Sequence, residues 1–183
     1  MSFGVSPAGL PDALVITPAV HADDRGWFCE SWNARDFAAA TGLDLHFVQD
    51  NHSCSARNVL RGLHYQIGTP QGRLIRVIAG AVFDVIVDLR RHSPAFGQWR
   101  GRELSAANRQ MLWVPPGFAH GFLALEEKSE ILYKTTTYWN SAAERSLLWN
   151  DPDLGITWPL QGAPQLSTKD QVGMPLRNAE TYP

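Results

Sequence analysis

Ala81-Val82-Phe83-Asp84-Val85-Ile86-Val87-Asp88-Leu89 is the stretch on which the fold turns. Its period is two. Phe83, Val85, Val87 and Leu89 share one face of an extended chain, and Val82, Asp84, Ile86 and Asp88 share the other. Turn signals flank it at Gly80 and Ser93-Pro94 and recur at Pro115-Pro116-Gly117 and Ser141. Working outward, further strands are expected over 13–17, 25–31, 46–51, 58–66, 73–79, 101–104, 111–114, 121–125 and 130–138. The one good helix pattern is 33–40 (NARDFAAA), with Asn33 as its N-cap and Gly42 as its stop. Many short strands punctuated by Gly and Pro, with a single helix, predict an all-β antiparallel sandwich or barrel. Residues after Pro159 read as coil and short turns, a tail too small to fold alone that is expected to wrap the barrel.

A chain of 183 residues suits one domain, residues 1–183. Hydrophobic residues at 44% and charged residues at 19% exclude a disordered chain. Sixteen Lys and Arg against eighteen Asp and Glu leave a net charge of −2, which argues against a general nucleic-acid or anionic-membrane binder. Most of the cations are Arg, with Lys only at 128, 134 and 169. Guanidinium suits bidentate binding of phosphate and carboxylate, and codon bias gives the same excess. Cys29 and Cys54 cannot make a disulfide framework or a CxxC metal site, so a cytoplasmic protein with two plain thiols is the simplest reading. No apolar run is long enough for a transmembrane helix, and the N-terminus shows no secretory leader.

Two segments concentrate chemistry-bearing residues. In Leu60-Arg61-Gly62-Leu63-His64-Tyr65-Gln66, a regular strand would point Arg61 and His64 to opposite faces. Local pattern favours His64 and Gln66 facing inward with Arg61 as a surface charge. The alternative is a register change between them, for which Gly62 is the natural place. In Trp113 to Phe122 (WVPPGFAHGF), a strand, a Pro-Gly turn and a histidine outline the second cupin motif, with His120 aimed into a barrel. Metal cupins usually take two His and a carboxylate from the first motif. Here Gln66 replaces the second His and no Glu follows it, so His64 and His120 alone are good ligands and no metal is expected. A His can instead serve as a general base if a carboxylate orients it; Asp84, Asp88 and Asp170 are candidates that spacing cannot separate. Tyr133, on a strand whose other face is expected to carry Lys134 and Tyr138, is a candidate proton donor.

Several strings in order carry a resemblance. Phe47 to Ser53 (FVQDNHS), Val59 to Gln66 (VLRGLHYQ), Phe83 to Arg90, Pro116 to Phe122 (PGFAHGF) and Trp149 to Pro152 (WNDP) resemble the dTDP-4-dehydrorhamnose 3,5-epimerase family over residues 12 to 172. The resemblance implies a cupin-type jelly-roll barrel. It also implies a homodimer with N-terminal strands crossing to the partner, no cofactor, and dTDP-4-dehydro-6-deoxy-D-glucose as substrate. His64 then matches the base, Asp170 its dyad partner and Tyr133 the proton donor. Arg73 stands where the family often has Lys. Arg61 and His120 match substrate contacts near sugar and diphosphate, with Asp84 an inward partner for His120 by strand parity. Arg25, Glu30, Gln49, Asp50, Asn51, Glu144 and Lys169 match the nucleotide half, and Trp139 the aromatic that stacks on thymine. Relatives that invert one carbon, or isomerise the keto-sugar, can keep the same dyad.

Overall fold

The structure, a computed structural model, describes residues 3–183. Six strands form one antiparallel sheet in the order β1-β2-β10-β7-β12-β5: Phe3–Pro7 (β1), Leu14–Pro18 (β2), Met111–Val114 (β10), Arg73–Ala79 (β7), Ser129–Thr135 (β12) and Gln49–Ser55 (β5). Five strands form the second, in the order β13-β6-β11-β8-β9: Glu144–Ser146 (β13), Leu60–Gln66 (β6), Phe118–Ala124 (β11), Ala81–Asp88 (β8) and Trp99–Ser105 (β9). A separate hairpin joins His21–Asp23 (β3) to Gly26–Phe28 (β4). The two sheets face each other as a cupin-type jelly roll, and the chain is nearly all β.

The period-two reading of β8 is met on both faces. Val82 and Ile86 enter the barrel core with Val77, Leu112, Val114 and Phe122. Phe83, Val85, Val87 and Leu89 point the other way, yet Val85, Val87 and Leu89 are fully buried. They are covered by the chain beyond β13, through Leu147, Leu154, Trp158 and Ala179. An apolar outer face is stable only if something removes it from water. The tail does this, pinned by backbone bridges pairing Val59 with Gln165, Leu147 with Met174 and Arg90 with Tyr182.

The expected helix forms over Ala34–Thr41 (α1). Asn33 Oδ1 accepts from the Asp36 amide, and Gly42 closes the helix with φ +75°. Its Phe37 packs with Phe3, Ile16 and Trp113 on the outer face of the six-stranded sheet. A second helix, Thr168–Gln171 (α2), is one turn long and capped by Ser167.

Other expectations shift. The expected strand 25–31 is reduced to the three residues of β4, and β1, β3 and β13 form where none was expected. The strand expected at 46–51 lies at 49–55, because β5 is an edge strand with polar residues on both faces and carries no apolar alternation. The strand at 121–125 begins earlier, at Phe118, and that at 130–138 ends at Thr135. Tyr138 therefore does not share a strand face with Lys134 and stands exposed beyond it.

Candidate active site

A cleft of about 400 Å³ opens at one end of the barrel between the two sheets, floored by Phe122 and Ile131. β6 and β11 build one wall. They pair as His120 with His64 and Phe122 with Arg61, so β6 carries one extra residue between its paired positions. That bulge resolves the Arg61/His64 question against the simpler reading: both residues line the cleft. It rests on glycine. Gly62 has φ +130°, and a Cβ there would lie 2.5 Å from the Gly121 Cα.

His64 Nε2 lies 2.6 Å from Asp170 Oδ1. Asp170 is presented by α2 and buried. Burial pushes its carboxyl up, but hydrogen bonds from His64, Ser167 Oγ and the Gly62 amide outweigh that and hold it below the usual carboxylate range. An ionised carboxylate only accepts, so Nε2 carries the proton. Nδ1 has no partner among the described residues, which leaves its lone pair for a proton from elsewhere. Burial pushes the imidazole below its ordinary value despite the opposing pull of Asp170. His64 is thus neutral at neutral pH.

Tyr133 comes from β12 in the opposite sheet and lines the same cleft. His64 and Tyr133 stand on different walls because they belong to different sheets.

The second histidine is held differently. His120 Nε2 lies 2.9 Å from Asp84 Oδ2, as strand parity predicts, and Nδ1 lies 3.3 Å from an Arg73 terminal nitrogen. A guanidinium only donates, so Nδ1 accepts and Nε2–H donates to Asp84. Both nitrogens of His120 are occupied. Among the described residues no carboxylate pairs with Arg73 or Arg61. Burial pushes the Arg73 guanidinium down from its ordinary value, and arginine side chains stay protonated in proteins. Arg61 bonds to Ser55 Oγ at 3.0 Å. Two cations without acidic partners suit an anionic ligand. Lys169 also lines the cleft, paired with Glu144 at 2.9 Å. Among the described residues no three His, Cys, Asp or Glu side chains gather as metal ligands do.

Of the other expected residues, Gln49, Asn51 and Trp139 line the cleft. Arg25, Glu30 and Asp50 do not. Asp50 lies on the outer face of β5, between Gln49 and Asn51, and pairs with Lys134. Arg25 sits at the tip of the β3–β4 hairpin, exposed and paired with Asp23, and Glu30 follows that hairpin. Gln71 and Ser53 line the cleft but were not expected. Ser53 was findable, since it shares a β5 face with Gln49 and Asn51.

A jelly-roll barrel with carboxylate-oriented imidazoles, a phenol on the facing sheet and spare guanidinium charge has the make-up of a cupin-type epimerase. Comparison with known proteins agrees. Residues 7–178 match the family model described as dTDP-4-dehydrorhamnose 3,5-epimerase, and the chain belongs to that family. It is 56% identical over 95% of its length to the dTDP-4-dehydrorhamnose 3,5-epimerase of Pseudomonas aeruginosa, covering 96% of that protein, and 52% identical to that of Salmonella typhimurium over 91% of each chain. A crystal structure of dTDP-6-deoxy-D-glucose-3,5-epimerase from Legionella pneumophila, in complex with dTDP-4-keto-L-rhamnose, superposes with TM-score 0.94 at 43% identity over 97% of this chain and 95% of that one. A 3'-monoepimerase from Streptomyces bikiniensis, in complex with dTDP-quinovose, gives TM-score 0.88 at 33% identity over 93% and 87%.

Proposed function

We propose that this protein inverts carbons 3 and 5 of dTDP-4-dehydro-6-deoxy-D-glucose, giving dTDP-4-dehydro-L-rhamnose for dTDP-L-rhamnose synthesis, without metal or organic cofactor. The carrying observation is the neutral, carboxylate-oriented His64 on one wall with Tyr133 on the other. The ketone at carbon 4 acidifies the C–H bonds at carbons 3 and 5. His64 takes a proton, leaving an enolate, and Tyr133 returns one to the opposite face, which inverts the centre. Asp170 fixes the imidazole tautomer and stabilises the imidazolium that forms. Arg73, held by His120, supplies positive charge to the enolate oxygen where relatives often use Lys. Arg61 and His120 face the sugar and diphosphate; Gln49, Asn51, Glu144, Lys169 and Trp139 face the nucleotide.

Residues 1–183 act as one catalytic unit in the cytoplasm, consistent with free Cys29 and Cys54 and with the absence, among the described residues, of a helix able to cross a membrane. The working form is a homodimer. The exposed hairpin of Trp27 and Phe28 carries Arg25 and Glu30 away from their own cleft, and in a dimer they are free to serve the partner's. Asp50, facing outward, takes its nucleotide role only if the same interface returns it to a cleft.

The likeness to a 3'-monoepimerase gives the competing reading, inversion at one carbon. Incubation with the substrate in deuterated water separates the two. Deuterium entering at both carbons is expected, and exchange at one alone would overturn double inversion.

A further inference from the structure

Residues 137–140 follow β12 and carry Trp139, whose ring is more than half exposed at the mouth of the cleft. With Tyr138, Trp139 and Asn140 all exposed, the segment has little packing to hold it. Its backbone is instead held by glutamine side chains from three different places. Gln71 Nε2 donates to the Thr137 carbonyl at 2.7 Å. Gln66 Nε2 donates to the Tyr138 carbonyl at 3.3 Å and to the Thr69 carbonyl at 3.2 Å. Gln49 Oε1 accepts from the Trp139 amide at 3.0 Å, and Gln66 Oε1 accepts from the Asn140 amide at 2.7 Å. Four consecutive residues thus each have a backbone group taken by a glutamine. Gln66 makes two of these bonds, is 2% exposed, and lies on β6 two residues from His64. A glutamine amide donates two hydrogen bonds while its oxygen accepts, as Gln66 does here; a neutral imidazole has one donor and one acceptor, and an ionised carboxylate has no donor.

We propose that Gln66 is a positioning residue for ligand binding: it fixes the 137–140 segment so that the Trp139 ring is already in place as a stacking platform for a nucleobase. The inference rests on the nucleotide reading of the cleft and adds to it the device that sets the platform. Preorganisation lowers the ordering cost of binding, so losing it weakens nucleotide affinity and leaves proton transfer at His64 untouched.

The test is calorimetric binding of dTDP to the full chain, paired with steady-state kinetics. Base–aromatic stacking energies place the loss for Trp139→Ala at about ten-fold in Kd. Gln66→Ala, and Gln66→Met as a volume-conserving variant should the first not fold, are expected to raise Kd and KM by a comparable factor with kcat within about two-fold. Added to Trp139→Ala, either Gln66 change has little further effect, because both act through one ring. Multiplying losses in the double variant, or a fall in kcat with Kd unchanged, would overturn the inference while leaving the nucleotide reading intact. If Trp139→Ala binds dTDP as wild type does, the stacking reading and this inference fall together.

Discussion

At the residue scale the decisive group is His64, and its environment makes a signed prediction. As the proposed base it must be unprotonated. Burial holds its pKa below the roughly 6.5 of an exposed imidazole, with Asp170 pulling it back up. kcat/KM should therefore be fully developed by neutral pH and fall only as pH drops below that ordinary value. Asp170→Asn removes the opposing pull, so its acidic limb moves to lower pH while its rate falls. A limb moving to higher pH would mean that the carboxylate does not face the titrating group. His64→Asn should cost about a thousand-fold in kcat with dTDP affinity kept, and a near-wild-type rate would remove His64 from the role of base. The residues of this dyad were legible only through resemblance. Asp170 lies 106 positions from His64 in a short polar stretch, and spacing alone does not separate it from Asp84 and Asp88 as the partner. His120 with Asp84 was legible from parity alone, since alternation on β8 and one motif on β11 put both on inward faces.

At the element scale, the site depends on where β6 and β11 cross. The strand pattern of β6 left two readings, because period two cannot register an inserted residue; only the glycine hinted at it. With Gly62 facing Gly121, any side chain meets backbone on the partner strand rather than a side chain able to move. Gly62→Ala should destabilise by at least about 2 kcal/mol, combining an unfavourable φ with overpacking, and should displace Arg61 relative to His64. Thermal unfolding and turnover check this, and wild-type values for both would show that the bulge tolerates a Cβ. The elements that eluded the sequence share one cause. β1, β3, β5 and β13 are short or polar, at edges or exposed, and pair through backbone groups that no side-chain pattern reports. Strands with apolar residues on their inward face, such as β7 and β10, matched their expected bounds to the residue.

At the scale of the whole molecule, residues 179–183 hold the wall that carries His64. Tyr182 OH donates to the Gln66 carbonyl at 2.6 Å, Tyr65 OH donates to the Glu180 carbonyl at 2.8 Å, and the Tyr182 backbone bonds to Leu89 and Arg91. Arg145 on β13 is ion-paired with Glu180. Tyr65 and Tyr182 meet edge to face at 6.2 Å, both with phenols pushed up to about 12 by burial. Ending the chain after Asn178 removes these contacts and exposes the outer faces of β6 and β8. One aromatic side chain and several hydrogen bonds sum to roughly 4 kcal/mol, or a fall of roughly 10 °C in Tm. Because Gln66 is both the acceptor for Tyr182 and the holder of the 137–140 segment, nucleotide affinity should fall with it even where the truncated chain remains folded. Calorimetry and dTDP titration below the lowered Tm measure the two effects separately. A Tm unchanged by truncation would show that the outer apolar face is covered well enough by Leu147, Leu154 and Trp158 without the last five residues.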